Sequence, residues 1–257
     1  MTRKDILKNV AKNVAYVAVV IGLVLSVWAV AASVVGSKII LPDIGETFGE
    51  LGRILRLHAF YSALVGTLIR SAIGYAVSVA LAFVLFYLSS TFKTVAGLIK
   101  PIVSVLRTLP TMAVSLVLAI WAGANAAPVI LGVLVIAPTV YSALVARTAT
   151  VSRELIEIAK LCGAGRTKTF LFVTVPNAAA ALPESLSSAL SFNIKIVIAA
   201  EILMQTAKSL GMLMAQAQTY YMTATLIALV AAAVIISVML EYVVRAVLYF
   251  ALSKYRD

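Results

Sequence analysis

The chain has 257 residues, of which 63% are hydrophobic and only 12% are charged, whereas a typical soluble domain has about 25% charged residues. This composition excludes a soluble globular domain and predicts an integral membrane protein. A net charge of +11 would indicate nucleic-acid binding in a soluble protein, but in a membrane protein basic loop residues orient the helices, so we expect contact with lipid and none with nucleic acid.

Six apolar segments are long enough to cross a bilayer, which takes about 20 residues of helix. The first segment exceeds the apolar core of a cleaved signal peptide, so we expect it to be retained. Together the segments predict an all-α integral membrane protein with six transmembrane helices, forming a single transmembrane domain over residues 1–257. They fall near 14–36, 63–88, 103–122, 127–146, 179–204 and 223–251.

The segment between the first two spans, PDIGETFGELGRILRL, is the only sizeable stretch expected outside the membrane on that side. Ile44, Phe48, Leu51 and Leu55 follow helical spacing and predict an amphipathic helix on the outer surface. The second span contains Arg70, for which pairing or anchoring is favoured over contact with a substrate. Its first half, HAFYSALVGTLIR, either crosses the membrane or lies along its surface.

The basic residues predict the orientation of the chain. Six spans place both termini on one side, and cytoplasmic loops of membrane proteins carry the excess of Lys and Arg. The opposite side has only Lys38, Arg53, Arg56 and Lys208, so we expect both termini in the cytoplasm of a prokaryotic cell, with the protein in its cell (inner) membrane. The basic residues on the side of the termini are Arg3, Lys4, Lys8, Lys12, Lys93, Lys100, Arg107, Arg147, Arg153, Lys160, Arg166, Lys168, Arg245, Lys254 and Arg256.

One long hydrophilic stretch, ELIEIAKLCGAGRTKTFLFVTVP, separates the fourth and fifth spans. Ser152 is placed to cap a helix whose first turn contains Glu154, and Gly163 and Gly165 are placed to end it. A helix of about ten residues is marginal in water, so it needs something to pack against. The apolar residues that share one of its faces are Leu155, Ile158, Ala159 and Cys162. A second short helical run, TKTFLFVTV, then leads to Pro176.

The same stretch carries a family resemblance. Glu157-Ile158-Ala159, Gly163-Ala164 and Val175-Pro176 resemble the EAA…G…LP loop in permease subunits of binding-protein-dependent ABC importers of type I. Ile158 stands where that family usually has Ala, and Val175 stands where Leu or Ile is common. Further resemblances are LRTLPTMAVSLVLAIWAGA to the proline-led third span, AAEIL to the end of the fifth span, and SLGMLM to the GLG.L segment. The chain is most similar to the nitrate, sulfonate and taurine subgroup, which includes importers of pyrimidine-type thiamine precursors.

The resemblance implies the type I importer permease fold, with a cytoplasmic coupling loop at residues 147–176. It implies that two cytoplasmic ATP-binding subunits hold ATP and Mg, and that this chain binds no cofactor or metal and is not an enzyme. It further implies a second permease copy or homologue and an external solute-binding protein. The residues expected to couple to the ATPase are Glu157, Ile158, Ala159, Gly163, Ala164 and Pro176.

Polar residues of the fifth span suggest the translocation path for a small solute such as a sulfonate, nitrate or thiamine-precursor-like compound. Glu184, Ser188, Ser191 and Lys195 fall at i, i+4, i+7 and i+11 on an otherwise apolar helix. A charge in hydrocarbon is costly, so this stripe is expected to face protein or water, with Lys195 offered to an anion. The alternative is that the serines permit close packing and Lys195 snorkels or pairs. Glu201, off the stripe, is expected to anchor the outer end.

The sequence gives little indication of nucleotide binding or of a metal site. GAGRTKT lacks the Gly that a phosphate-binding loop places directly before its Lys, because Thr167 precedes Lys168. His58 is the only histidine, so no Cys/His metal cluster is expected. The alternative function is a secondary transporter or channel without an ATPase. The coupling-like loop and the absence of a recognisable internal repeat favour the importer.

Overall fold

The computed structural model describes residues 3–148, 153–176 and 182–252. These residues form helices joined by turns and contain no strand, which confirms the predicted all-α fold. A π-helical turn, Phe170–Thr174, follows the seventh helix. The α-helices are α1 (Arg3–Val35), α2 (Ile44–Ile54), α3 (His58–Thr91), α4 (Lys93–Thr108), α5 (Thr111–Thr148), α6 (Arg153–Leu161), α7 (Arg166–Thr169), α8 (Leu182–Met204), α9 (Leu210–Thr219) and α10 (Thr223–Leu252).

Five of the described helices are long and apolar enough to cross a membrane, namely α1, α3, α5, α8 and α10. The predicted third and fourth spans both reach into α5, which is interrupted at Gly123 (φ 75°, ψ 164°), a conformation open essentially to glycine. Val114 and Leu134 pack against one small apolar cluster, although about 30 Å would separate them in a straight helix. The chain therefore folds back at Gly123, and all six predicted apolar segments are present.

The predicted third span, 103–122, is made of two helical pieces. Leu109 is extended (φ −62°, ψ 132°) because the ring of Pro110 disfavours helical backbone before it, and this ends α4. The sequence placed the basic residues in loops, but those on the side of the termini that the structure describes lie in helices, among them Lys100 and Arg107 in α4 and Arg245 in α10. A helix accommodates Arg245 because it has a carboxylate partner one turn away, at Glu241.

The outer segment contains the predicted helix, but with a different face turned inward. Thr47 and Ile54 of α2 are buried, whereas Phe48 and Leu55 are exposed. A polar contact contributes to this orientation of α2, because Thr225 at the start of α10 donates a hydrogen bond to Glu50 at 3.0 Å. The following helix, α3, is continuous over 34 residues, so its first half extends the crossing helix and does not form a separate surface helix.

The helices α3, α5 and α8 pack on one another, and α10 packs on α8, α9 and α2. One apolar cluster lies at the end of the bundle that contains α2, here called the α2 end, and includes Phe60, Ile194 and Leu229. A second lies at the opposite end, the α6 end, and includes Phe86 and Phe170. The apolar part of α1 is almost wholly exposed in this chain, and Trp28 fixes it to the next segment by donating to the carbonyl of Pro42 at 3.1 Å.

Candidate functional site

The helix α6 has an uncovered apolar surface. Leu155, Ile158 and Leu161 are all exposed, Leu161 to 87%. Of the predicted apolar face, only Ala159 is half-buried, and Cys162 is exposed. Nine residues are too few for a helix to be stable by itself in water, so this surface is suited to a partner protein.

A glycine corner ends α6, as predicted from the sequence. Gly163 has a φ of 74°, and the N–H of Ala164 donates to the carbonyl of Ala159 at 2.9 Å, the closing bond of a Schellman motif. No atom lies within 4 Å of the position that a Cβ of Gly163 would take, so the corner is open to close approach. Glu157, near the middle of α6, is exposed, and the predicted cap Ser152 lies outside the described residues.

Phe170 fastens this segment to the membrane bundle. Its ring is buried, with its centroid 5.3 Å from that of Phe86 and 5.2 Å from that of Tyr87 at the end of α3. The hydroxyls of Tyr87 and Thr167 are 3.3 Å apart. The sequence analysis did not identify Phe170 as a contact residue. The feature that could have indicated it is an aromatic residue in the apolar run before Pro176. These contacts join the segment that follows α6 to the end of α3 by a short, packed connection.

The predicted polar stripe of α8 is largely brought to one exposed face. Glu184, Ser188 and Lys195 are exposed on it, together with Phe192. Ser191 lies at the edge of this face and is covered by its packed neighbours, with 4% of its surface exposed. The structure thus separates Ser191 from the three other residues of the stripe.

A polar seam joins α8 to α10 beside the stripe. Ser188 donates to the Oε1 atom of Glu241 at 3.2 Å, and Arg245 pairs with the same atom at 3.0 Å. Arg245 also donates to Ser187 at 3.3 Å. The sequence reading missed Glu241, whose signal was its spacing of one helical turn from Arg245.

Lys195 lies at the rim of a cavity of about 230 Å³ between α8, α9 and α10, lined mainly by apolar residues such as Met214 and Val234. Within the described residues Lys195 has no carboxylate partner within 4.0 Å. Its ammonium group is therefore available to solvent or to a ligand. This arrangement departs from the alternative in which Lys195 pairs with a carboxylate.

At the α2 end, Arg70 pairs with Glu201; pairing was one of the two roles favoured for Arg70, whereas Glu201 was expected to anchor the outer end of its span. The Nε atom of Arg70 lies 2.8 Å from Oε1 of Glu201, and Arg70 also donates to the carbonyl of Lys208 at 3.1 Å. Thr67 donates to Oε2 of Glu201 at 2.8 Å and accepts from the N–H of Leu210 at 2.9 Å. These bonds tie α3, α8 and the start of α9 together.

Outside the spans, α2 carries a second charged pair. Arg53 donates to Glu50 at 2.8 Å, and this hydrogen bond lowers the pKa of Glu50 below its usual value, outweighing partial burial, which would raise it. The hydrogen bond from Thr225 lowers that pKa further. The same pair raises the pKa of Arg53. Glu50 therefore attaches α2 to α10 as a carboxylate.

Comparison with known proteins covers much of this arrangement. Residues 74–256 match the family described as "Binding-protein-dependent transport system inner membrane component". The chain is also 27% identical over 226 residues to the taurine transport system permease protein TauC of Escherichia coli (strain K12). That alignment covers 85% of this chain and 82% of TauC. The family match includes α6, its glycine corner, and α8.

Proposed function

Because the chain belongs to the family of inner-membrane components of binding-protein-dependent transport systems, we propose that it couples a cytoplasmic ATPase to the movement of a small solute. It is a multi-pass inner-membrane permease subunit of an ABC importer of the nitrate, sulfonate and taurine kind. The coupling to an ATPase, the identity of the solute and the partner subunits are what we propose for this chain. In this proposal the chemistry of ATP and Mg belongs to two partner subunits.

The uncovered surface of α6 is the observation that carries the proposal. Leu155, Ile158 and Leu161 place apolar side chains outside the spans, where exposure to water is unfavourable. The open corner at Gly163 lets the backbone of a partner approach closely. A groove on an ATP-binding subunit would cover the apolar face and contact Glu157 at its side. Closure of two such subunits would then move α6 and, through Phe170, the end of α3.

The exposed face of α8 supports a translocation path. Glu184 and Lys195 are charged, and a charge facing hydrocarbon costs several kcal/mol. The outward face of α10, by contrast, is apolar and includes Ile235, Met239 and Val243, as expected of a lipid-facing helix. We therefore assign the α8 face to a water-filled path between this subunit and a second permease, a copy or homologue. Ser191 lies beneath this face.

The solute proposed for this path is a small molecule with a sulfonate or similar anionic group. The named relative is a taurine permease, and Lys195 supplies a cation without a carboxylate partner among the described residues. A solute-binding protein would deliver it at the α2 end. The basic loop residues favour placing the α6 end and both termini in the cytoplasm.

Co-purification tests the coupling proposal. The tagged chain, purified from its native membrane, is expected to retain an ATP-hydrolysing subunit in mild detergent. Leu161→Asp should abolish this retention at an unchanged membrane level, because it places a charge in the proposed contact. The matched control is Tyr221→Asp, an equally drastic change at an exposed aromatic residue of the α2 end.

Two results would contradict the proposal. One is transport by the purified chain alone with no ATPase retained, which would favour a secondary transporter or channel. The other is equal retention of the ATPase by Leu161→Asp and Tyr221→Asp, which would mean that α6 is not the contact.

A further inference from the structure

A polar cavity lies at the α6 end, and none of its lining residues belongs to α6 or α8. Its volume is about 550 Å³, within the range of about 300–1,000 Å³ typical of ligand pockets. It opens between α4 and the last turns of α5. The polar residues that line it are Lys100, Ser104, Arg107, Thr108, Tyr141 and Ser142. No described acidic residue is among its lining residues.

Two cations are concentrated in this cavity by the helical repeat of α4. Lys93, Lys100 and Arg107 are spaced seven residues apart, which places them on one side of the helix with a drift of about 20° per step. The adjoining side of α4 is anchored by Ile99 and Val103, which are buried in the apolar cluster of the α6 end, and Val103 also lines the cavity. Because that side is fixed, Lys100 and Arg107 are held toward the cavity.

The positive charge of the cavity is uncompensated in the described part of the chain. Arg107 has one polar contact, donating to the Ser142 hydroxyl at 3.5 Å, and neither Arg107 nor Lys100 lies within 4.0 Å of a described carboxylate. A guanidinium has five N–H donors and an ammonium three, so most of their donors remain available. The surrounding hydroxyls add neutral donors at the same place.

The cavity also lies where charged groups reach water. Ser142 is six residues before the end of α5, about 9 Å along the helix axis, and Ala146 completes the rim just before Arg147. Cations at this depth near a membrane interface are well placed to bind phosphate or sulfonate oxygens. An apolar lipid chain alone would leave both charges without a partner.

We propose that this cavity is a binding site for an oxyanion, held by Lys100 and Arg107 as cations and by the neighbouring hydroxyls as hydrogen-bond donors. The oxyanion is either the phosphate of an anionic phospholipid headgroup or a free anion at the α6 end of the bundle. The proposal is independent of ATPase coupling, because no residue of α6 contributes to the cavity. Its test accordingly uses the full chain without partner subunits.

The two sources are distinguished by two binding measurements on the purified full chain in nanodiscs. In discs of phosphatidylcholine alone, equilibrium dialysis with radiolabelled sulfate measures binding of a free oxyanion. In discs that also contain phosphatidylglycerol, native mass spectrometry after release from the disc counts the anionic lipids that stay bound. Lys100→Gln with Arg107→Gln removes both cations, and Lys93→Gln is the matched control, because Lys93 belongs to the same stripe but does not line the cavity.

We expect the double variant to weaken binding about tenfold or more in at least one measurement, because two charge-assisted contacts are lost. We expect Lys93→Gln to bind like the unsubstituted chain. Loss confined to sulfate identifies a free anion, and loss confined to phosphatidylglycerol identifies a lipid headgroup. The proposal is overturned if the unsubstituted chain binds neither probe, or if the double variant and Lys93→Gln change binding equally. If the double variant folds poorly, Lys100→Gln and Arg107→Gln are measured separately, and each is expected to weaken binding less than the double variant would.

Discussion

The carboxylate of Glu201 is fully buried at the α2 end, yet both of its oxygens have partners. Oε1 accepts from Arg70, and Oε2 accepts from Thr67 and from the N–H of Gly211 at 3.4 Å. A buried charge is tolerated when it is paired and its remaining lone pairs are satisfied. This cluster therefore holds the short segment between α8 and α9 against α3.

Removing only one charge of this pair should be costly. Arg70→Met is expected to destabilise the protein by about 3–5 kcal/mol, because it leaves Glu201 buried without its cation. Arg70→Met combined with Glu201→Leu should recover much of the loss, since neither charge remains. Denaturant unfolding in detergent measures both. A double variant as unstable as the single one would contradict this electrostatic explanation.

Gly211 is packed so closely against α8 that a side chain would not fit there. A Cβ at this position would overlap the side chain of Glu201 and lie 2.6 Å from the backbone nitrogen of Ile202. Gly211→Ala should therefore cost about 1–3 kcal/mol or more, as overpacking does. Gly97→Ala is the matched change, in α4, where no atom lies within 4 Å of the added carbon. It should be stabilising by about 0.5–1 kcal/mol, because alanine favours helix. Thermal unfolding of the two variants should shift in opposite directions, and a shift in the same direction would be contrary to this account.

At the scale of elements, α2 is attached to α10 through an ionised carboxylate. Since the folded-state pKa of Glu50 lies below its unfolded value, its contribution is present above the unfolded pKa and is lost as pH falls through the folded pKa. We expect the protection of α2 amides against hydrogen exchange, after correction for the intrinsic pH dependence of exchange, to fall on acidification below about pH 4.5, the ordinary value for this side chain. Glu50→Gln should exchange faster already at neutral pH and respond less to acid. An acid response of α2 that is unchanged in Glu50→Gln would argue against this role.

The elements that the sequence predicted well are those set by local chemistry. Apolar length predicted the spans, and Gly163 predicted the end of α6 because positive φ after a helix favours glycine. The pairing of Arg70 followed from the cost of an unpaired charge in a membrane. The face of α2 was not predictable, because it depends on Thr225, far away in the chain. The role of Phe170 likewise depends on the arrival of Phe86 and Tyr87 from α3.

At the scale of the whole molecule, α1 and α8 present very different exposed surfaces in a single subunit. The exposed part of α1 is apolar and is compatible with lipid, whereas the exposed face of α8 carries Glu184 and Lys195. That contrast is the basis for assigning α8 to a path between two permease subunits. It also means that one chain encloses only part of the proposed path.

Lys195→Ala is expected to reduce uptake at least about tenfold while leaving retention of the ATPase unchanged, since Lys195 is remote from α6 and loss of one charge-assisted contact has about this effect. Lys195→Arg keeps the charge and should retain more uptake. Uptake of radiolabelled taurine into vesicles containing the assembled transporter measures both variants. Normal uptake by Lys195→Ala at equal expression would support the packing role instead.

The central claim is that α6 transmits ATPase movement to the membrane bundle, and ATP hydrolysis stimulated by the loaded solute-binding protein tests it most directly. Gly163→Leu and Gly163→Ala both impose about 1 kcal/mol or more of backbone strain at φ 74°, but only leucine projects a bulky side chain toward a partner. In reconstituted vesicles, we predict that Gly163→Leu abolishes stimulation at a normal membrane level, whereas Gly163→Ala retains most of it. Full stimulation by Gly163→Leu would contradict the claim.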